Sequence, residues 1–215
     1  MNEKNSLGLD KCFLDLDNPI LLFTEWYNEA KKTEINDPNA LALGTINEKG
    51  YPNVRMVLLK DYGEDGFVFY TNFNSNKGNS IKQNPNISMC FHWKSLLRQI
   101  RIVGTAEKVS DEEADNYYKS RSYGSRIGAW ASNQSSILKD REELNQSIKK
   151  FKDLYKDENN VPRPDHWSGW RLKHHEIEFW LDGENRIHER LKSVSYTHLR
   201  AHETSLHLVC RLLLE

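Results

Sequence analysis

The 215-residue sequence predicts a mainly β fold with peripheral helices, an antiparallel barrel, and three observations carry that prediction. Apolar residues alternate with a period of two across residues 40–58, a continuous apolar run fills 67–71, and residues 87–93 and 99–109 read as further strands. Strand-like runs dominate and the helical stretches are inserted between them, an order that argues against parallel βαβ units. Turn residues such as Glu48-Lys49-Gly50 join neighbouring runs closely enough for hairpins.

Asp17-Asn18-Pro19 places a capping side chain before a proline at the first helical position, and Leu21, Leu22, Trp26 and Ala30 recur at helical spacing. A helix is expected from about 19 to 33. Leu41, Leu43 and Thr45 enter the Glu48-Lys49-Gly50 turn and Val54, Met56 and Leu58 leave it, forming a hairpin. Phe67-Val68-Phe69-Tyr70-Thr71 is the next strand, followed by polar residues 72 to 76 and a short helix before Pro85. Residues 87 to 93 and 99 to 109 read as two further strands. Ser110 and Glu113 form a capping box that starts a helix, on which Tyr117 and Arg121, four residues apart, share a face. Tyr118 and Ser122 repeat that offset beside them. Residues 140 to 156 form a charged amphipathic helix ended by Pro162 and Pro164, and three late strands are expected around 167 to 172, 175 to 181 and 185 to 191. Nothing repeats with a fixed period.

The composition, 38% hydrophobic and 28% charged, is that of a chain able to bury one core, and the length favours one domain. A formal net charge of -1 gives no global attraction to nucleic acid or to an anionic membrane, so an anionic ligand must be met by local cations. Cys12, Cys90 and Cys210 are odd in number and widely spaced, which suits reduced thiols in a cytosolic protein better than a disulfide framework or a metal site. No basic and apolar leader opens the chain and no apolar run approaches about 18 residues, so a cytoplasmic, soluble protein is expected.

The common nucleotide and hydrolase signatures, GxGxxG, the Walker loop, HExxH and GxSxG, are missing. Cations instead stand at strand ends or beside turns: Arg55 and Lys60 flank Met56-Val57-Leu58-Leu59, Lys77 follows a polar turn, and Arg121, Arg186 and Arg190 come later. Five residues apart on a strand, Arg55 and Lys60 point to opposite faces and serve different groups. Taken alone, this segment reads as a strand flanked by solvated charges.

Arg55-Met56-Val57-Leu58-Leu59-Lys60, Phe69-Tyr70-Thr71-Asn72 and Ser75-Asn76-Lys77 together resemble the FMN-binding core of the pyridoxamine 5'-phosphate oxidase family. The likeness continues through Arg98-Gln99, Tyr117 with Arg121, Ile127-Gly128-Ala129-Trp130, Gln134-Ser135, Ile177-Glu178-Phe179-Trp180 and Arg186-Ile187-His188-Glu189-Arg190. It covers residues 18 to 192. The resemblance implies an FMN-binding split β-barrel, a homodimer with FMN in a groove formed by both subunits, and oxidation of pyridoxamine or pyridoxine 5'-phosphate to pyridoxal 5'-phosphate with dioxygen reduced to hydrogen peroxide. It places Arg55 and Lys77 on the FMN phosphate, with Met56, Val57, Leu58, Leu59, Lys60, Tyr70, Thr71, Gln99, Gln134, Ser135, Trp180 and Arg190 around the rest of the cofactor. Lys60, Tyr117, Arg121 and Ser125 are implied for the substrate phosphate, and Arg186 and His188 for the pyridine ring and its protons. Two other functions fit the same residues less fully: a split-barrel flavin oxidoreductase acting on another substrate, and a non-catalytic binder of FMN or pyridoxal phosphate.

The sequence also departs from the family. Asn76 stands where many relatives carry arginine or another cation, and residues 1–17 lack the Arg-Arg-Glu-Tyr stretch of many relatives, so they are expected to be a mobile segment without site residues. Residues 193–215 follow no family pattern, and Ser195-Tyr196-Thr197-His198-Leu199-Arg200-Ala201-His202-Glu203-Thr204 resembles translated sequencing adapter. Loss of the family's last strand is expected to leave a barrel edge open. His198, His202 and His207 are not assigned to a metal.

Overall fold

The computed structural model describes residues 18–186, 188–194 and 209–210. The segment 1–17, Cys12, and His198, His202 and His207 lie outside the described residues.

Helix α1 (Pro19–Thr33) starts where Asn18 Oδ1 accepts from Ile20 N at 2.8 Å, and it buries Leu22, Phe23, Trp26 and Ala30. A hairpin follows, β1 (Ala40–Ile46) and β2 (Pro52–Leu58), turning at Gly50, whose φ of 81° suits a residue without Cβ. Strands β3 (Asp61–Gly63) and β4 (Gly66–Asn72), helix α2 (Asn76–Gln83), and strands β5 (Asn86–Trp93) and β6 (Arg98–Lys108) come next. Helices α3 (Asp111–Ser120), α4 (Tyr123–Ala131) and α5 (Arg141–Leu154) separate these from β7 (Trp167–Leu181), β8 (Glu189–Val194) and β9 (Val209–Cys210).

The strands form one antiparallel sheet in the order β2-β1-β5-β6-β7-β4-β3, with β8 on β7 and β9 on β8. The sheet curls around α1. Phe23 meets Tyr62 of β3, Phe67 of β4 and Phe91 of β5 edge-on at 4.8 to 5.4 Å, and Trp26 meets Phe179 of β7 at 5.3 Å. One helix therefore touches strands from both halves of the sheet, and the main apolar core is gathered there.

Long β7 organises the split. Residues 167–172 pair with β4, residues 176–181 pair with β8 on the same edge, and β6 runs along the other edge. The two strands expected at 167–172 and 175–181 are thus one. The polar run Lys173-His174-His175 is no turn; it accompanies a register shift opposite Val103 and Gly104, where a Cβ on Gly104 would lie 2.0 Å from the Lys173 carbonyl oxygen.

Four other expectations change. The helix opened by Ser110 stops at Ser120, and Arg121 takes extended angles (φ -75°, ψ 150°), so Tyr117 and Arg121 do not share a helical face. Glu113 completes only half of the capping box: its N–H donates to Ser110 Oγ at 3.1 Å, while its carboxylate pairs with Arg171 at 2.8 Å. Helix α4 was unforeseen, and Ser122 caps it by accepting from Ser125 N. The last expected strand, 185–191, is a short 3-10 turn at Glu184–Arg186 followed by β8. In the tail, Val209 and Cys210 pair with Lys192 and Leu191, so the outer edge of β8 is paired at those two positions.

Candidate active site

A groove of about 670 Å³ opens where the ends of β2 and β4, the start of α2, the end of α3 and the start of α4 converge. It collects Met56, Val57, Leu58, Lys60, Tyr70, Thr71, Lys77, Tyr117, Arg121, Ser125 and Gln134, all expected from the sequence, and adds Asn72, Ser122, Ser132 and Trp167. Two groups of cations stand at it: Lys77, with Arg55 beside it, and Arg121 with Lys60.

Lys77 sits in the first turn of α2, which Ser75 caps by accepting from Gly78 N at 3.3 Å. Its Nζ donates to Gln134 Oε1 at 3.0 Å and to Ser75 Oγ at 3.3 Å, and Thr71 Oγ1 donates to the same glutamine oxygen at 3.4 Å. Burial first, and the neighbouring Arg55 second, push the Lys77 pKa down to about 8. Arg55 lies on β2 opposite Leu43 and does not itself line the groove; its guanidinium donates to Thr45 Oγ1 at 2.7 Å and to the carbonyls of Leu43 and Asn53. Every described hydrogen-bond acceptor of these two cations is a neutral oxygen.

Arg121 belongs to the second group. Its guanidinium carbon lies 4.7 Å from the Trp167 ring centre and 6.0 Å from that of Tyr118, and its Nη1 is buried without a hydrogen-bond partner. Burial lowers its pKa, while Tyr117 and Tyr118 oppose that shift. Ser122 Oγ donates to Ser125 Oγ at 2.9 Å at the start of α4, where free backbone N–H groups and the helix dipole favour an anion. Tyr70, Tyr117 and Trp167 stack nearly parallel, Tyr70 to Tyr117 at 3.9 Å, and burial first, Glu113 second, raises the Tyr70 pKa.

The other expected residues lie elsewhere. Leu59 is core, and Ser135 follows Gln134 at a positive φ of 70°. Gln99, Trp180 and Arg190 are neighbours across β6, β7 and β8. The Trp180 ring lies 4.7 Å from that of His188, whose Nδ1 is 3.0 Å from Asp182 Oδ1 and 3.3 Å from Gly183 N. Arg186 is exposed at a positive φ of 66°. Buried Glu178 pairs with Arg101 at 2.7 Å and Arg190 at 3.6 Å. Trp167 and Trp180 are near opposite ends of the 15-residue β7, roughly 40 Å of extended chain apart. Gln99, Trp180 and Arg190 do not line the groove that gathers Lys77, Tyr70 and Arg121.

Residues 27–155 match the family model for pyridoxamine 5'-phosphate oxidase. The chain belongs to that family. Residues 167–199 match the pyridoxine 5'-phosphate oxidase C-terminal dimerisation region, a match that runs past Lys192, where the sequence resemblance stopped. The protein is a homodimer, and family membership implies a flavin cofactor. A pyridoxine/pyridoxamine 5'-phosphate oxidase of Pelagibacter ubique (strain HTCC1062) is 66% identical over 192 residues, 89% of this chain and 92% of that protein. One from Allorhizobium ampelinum is 54% identical over 84% of this chain and 87% of its own length. Among solved structures, PhzG from Burkholderia lata 383, in complex with tetrahydrophenazine-1-carboxylic acid, superposes with a TM-score of 0.82 at 27% identity, covering 94% of this chain and 96% of its own. A pyridoxamine 5'-phosphate oxidase-related, FMN binding protein from Nostoc punctiforme PCC 73102 shares the fold, with a TM-score of 0.67 at 15% identity over 92% of this chain and 99% of its own. Oxidase family, split-barrel fold and dimer thus agree with the sequence reading.

Trp167 and Ser122 were not assigned from sequence. A serine following the end of one helix and capping the next was the available signal for Ser122; Trp167 was expected only as the start of a strand, and nothing in the sequence ties it to Tyr117 or Arg121.

Proposed function

We propose that this chain oxidises pyridoxamine 5'-phosphate and pyridoxine 5'-phosphate to pyridoxal 5'-phosphate, using FMN and reducing dioxygen to hydrogen peroxide. The observation that carries the reading is a single groove lined by Lys60, Lys77 and Arg121, with Arg55 beside Lys77, and no ion-paired carboxylate for any of the four among the described residues. Arg55 and Lys77 take the FMN phosphate: a dianion supplies the counter-charge that their neutral partners do not. Arg121, Lys60, Tyr117 and Ser125, with the first turn of α4, take the substrate phosphate. An unphosphorylated vitamer would leave the Arg121 donors unpaired, which selects for the phosphate esters.

The separation along β7 supports placing the remaining residues in the other half of a shared site. Gln99, Trp180 and Arg190 of one subunit face the flavin whose phosphate is held by the other, with Met56 to Lys60, Tyr70, Thr71, Gln134 and Ser135 on the near side. The partner's Arg186 and the partner's His188 flank the pyridine ring. With Nδ1 facing Asp182 Oδ1 at 3.0 Å, Nε2 is the His188 atom left to exchange a proton with substrate. Bound FMN supplies the two-electron acceptance and the passage of electrons to dioxygen. No described helix is long and apolar enough to cross a membrane, and we place the protein in the cytoplasm.

The test is turnover in air. Purified holoenzyme with pyridoxamine 5'-phosphate should form pyridoxal 5'-phosphate and hydrogen peroxide in equal amounts; FMN-loaded protein that forms neither overturns the proposal.

A further inference from the structure

We infer that Trp167 is a positioning residue for the substrate phosphate: its indole face carries the Arg121 guanidinium and fixes the Tyr117 ring. The inference rests on the assignment of Arg121 to that phosphate. Among the described residues no carboxylate lies within ion-pair distance of Arg121, although the side chain is half-buried and its Nη1 is fully so. A buried cation is ordinarily held by an acid, but an acid would occupy its N–H donors and cancel its charge. An aromatic face attracts the cation through the ring quadrupole and leaves those donors in the guanidinium plane unused. Arg121 is held in this second way, 4.7 Å from the Trp167 ring centre, with Nη1 buried and unpartnered.

Trp167 also sets the neighbouring ring. Tyr117 lies parallel to it within 5°, at 6.1 Å, and Tyr70 lies within 10°, at 5.3 Å. The stack has no slack: the Tyr70 ring occupies the space where Gly169 would carry a Cβ, at 2.8 Å. The Trp167 carbonyl accepts from Arg163 Nη1 at 2.9 Å, and Arg163 pairs with Asp111 and Asp115 of α3, the helix that carries Tyr117. The indole and the two phosphate donors it serves are therefore braced to one another.

The test is a double-mutant cycle on the holoenzyme, reading the equilibrium Kd for pyridoxal 5'-phosphate and the steady-state KM and kcat for pyridoxamine 5'-phosphate. Trp167→Leu should raise both Kd and KM about tenfold, or ~1.4 kcal/mol. Its kcat, FMN Kd and binding of unphosphorylated pyridoxal should change less than about twofold. In an Arg121→Ala background the same substitution should add less than about twofold, because the group through which it acts is gone. Trp167→Phe keeps an aromatic face and should raise Kd by only about threefold, again coupled to Arg121; it supplies the cycle if Trp167→Leu does not fold. An equal factor in both backgrounds, or loss of FMN binding in step with loss of pyridoxal 5'-phosphate binding, overturns the inference and makes Trp167 a packing residue. If Arg121→Ala alone leaves the pyridoxal 5'-phosphate Kd unchanged, the phosphate assignment itself fails, a result distinct from either of these.

Discussion

Raising the pH from 7 to 9 should loosen FMN, and the size of the effect follows from Lys77. Burial and Arg55 bring its pKa from the ordinary 10.5 to about 8, so without FMN about half of the molecules carry a neutral Lys77 at pH 8. The FMN phosphate, already a dianion above its second pKa of about 6, must recharge that lysine as it binds. If bound phosphate restores the ordinary pKa, the Kd scales as one plus ten to the power pH minus 8. The increase between pH 7 and pH 9 is then about tenfold, or ~1.4 kcal/mol. This is an upper limit, because solvent screens a partly exposed ammonium. The sign for the FMN-free protein is opposite. Its folded-state pKa lies below the unfolded value, so the charged lysine opposes folding below about pH 8 and stability should rise as the pH climbs from there toward 10.5. Flavin fluorescence quenching titrations at pH 7, 8 and 9 measure the Kd, with Lys77→Met as the control, expected to bind weakly and with little pH dependence. A flat Kd in the unsubstituted protein, or the same slope in Lys77→Met, would refute the reasoning.

Gly169→Ala would drive a Cβ into the Tyr70 ring and Val109, at 2.8 and 2.9 Å, and should cost about 1–3 kcal/mol in urea unfolding while raising the pyridoxal 5'-phosphate Kd. Glu178→Ala leaves Arg190 without its buried carboxylate; since the other partner, Arg101, is half exposed, the loss should fall below the ~3–5 kcal/mol of a fully buried pair, and FMN should bind more weakly. Asp182→Asn withdraws the carboxylate facing His188 Nδ1, and stopped-flow reduction of the flavin by substrate should slow about tenfold with the substrate Kd little changed.

Sequence reasoning reached furthest where local chemistry and tertiary structure agree. Asn18 with Pro19 set the start of α1, and the strands expected at β1, β5 and β6 formed because each has one face on the core. It failed where tertiary pairing overrode local pattern. Lys173-His174-His175 interrupts the apolar period yet stays in strand, since β6 pairs with both sides of the bulge. Gly124 and Gly128 lower the helix propensity of α4, which the Ser122 cap offsets, and β3 is too short and polar to register as a strand. At the site, Lys77, Tyr117 and Arg121 were legible as a family pattern, and the groove gathers them. The route by which Arg121 arrives was not legible, because an extended residue at a helix end replaces the expected helical face. Trp167 was missed for a related reason: its contacts to Tyr117 and Arg121 span more than forty positions of chain, and no local spacing encodes them.

The most direct measurement is a visible absorption spectrum of the purified, FMN-loaded dimer before and after anaerobic addition of pyridoxamine 5'-phosphate. The account predicts that the flavin band bleaches, returns on admitting air, and leaves pyridoxal 5'-phosphate in solution. A flavin band untouched by the vitamer, in protein that binds both FMN and pyridoxal 5'-phosphate, would contradict it.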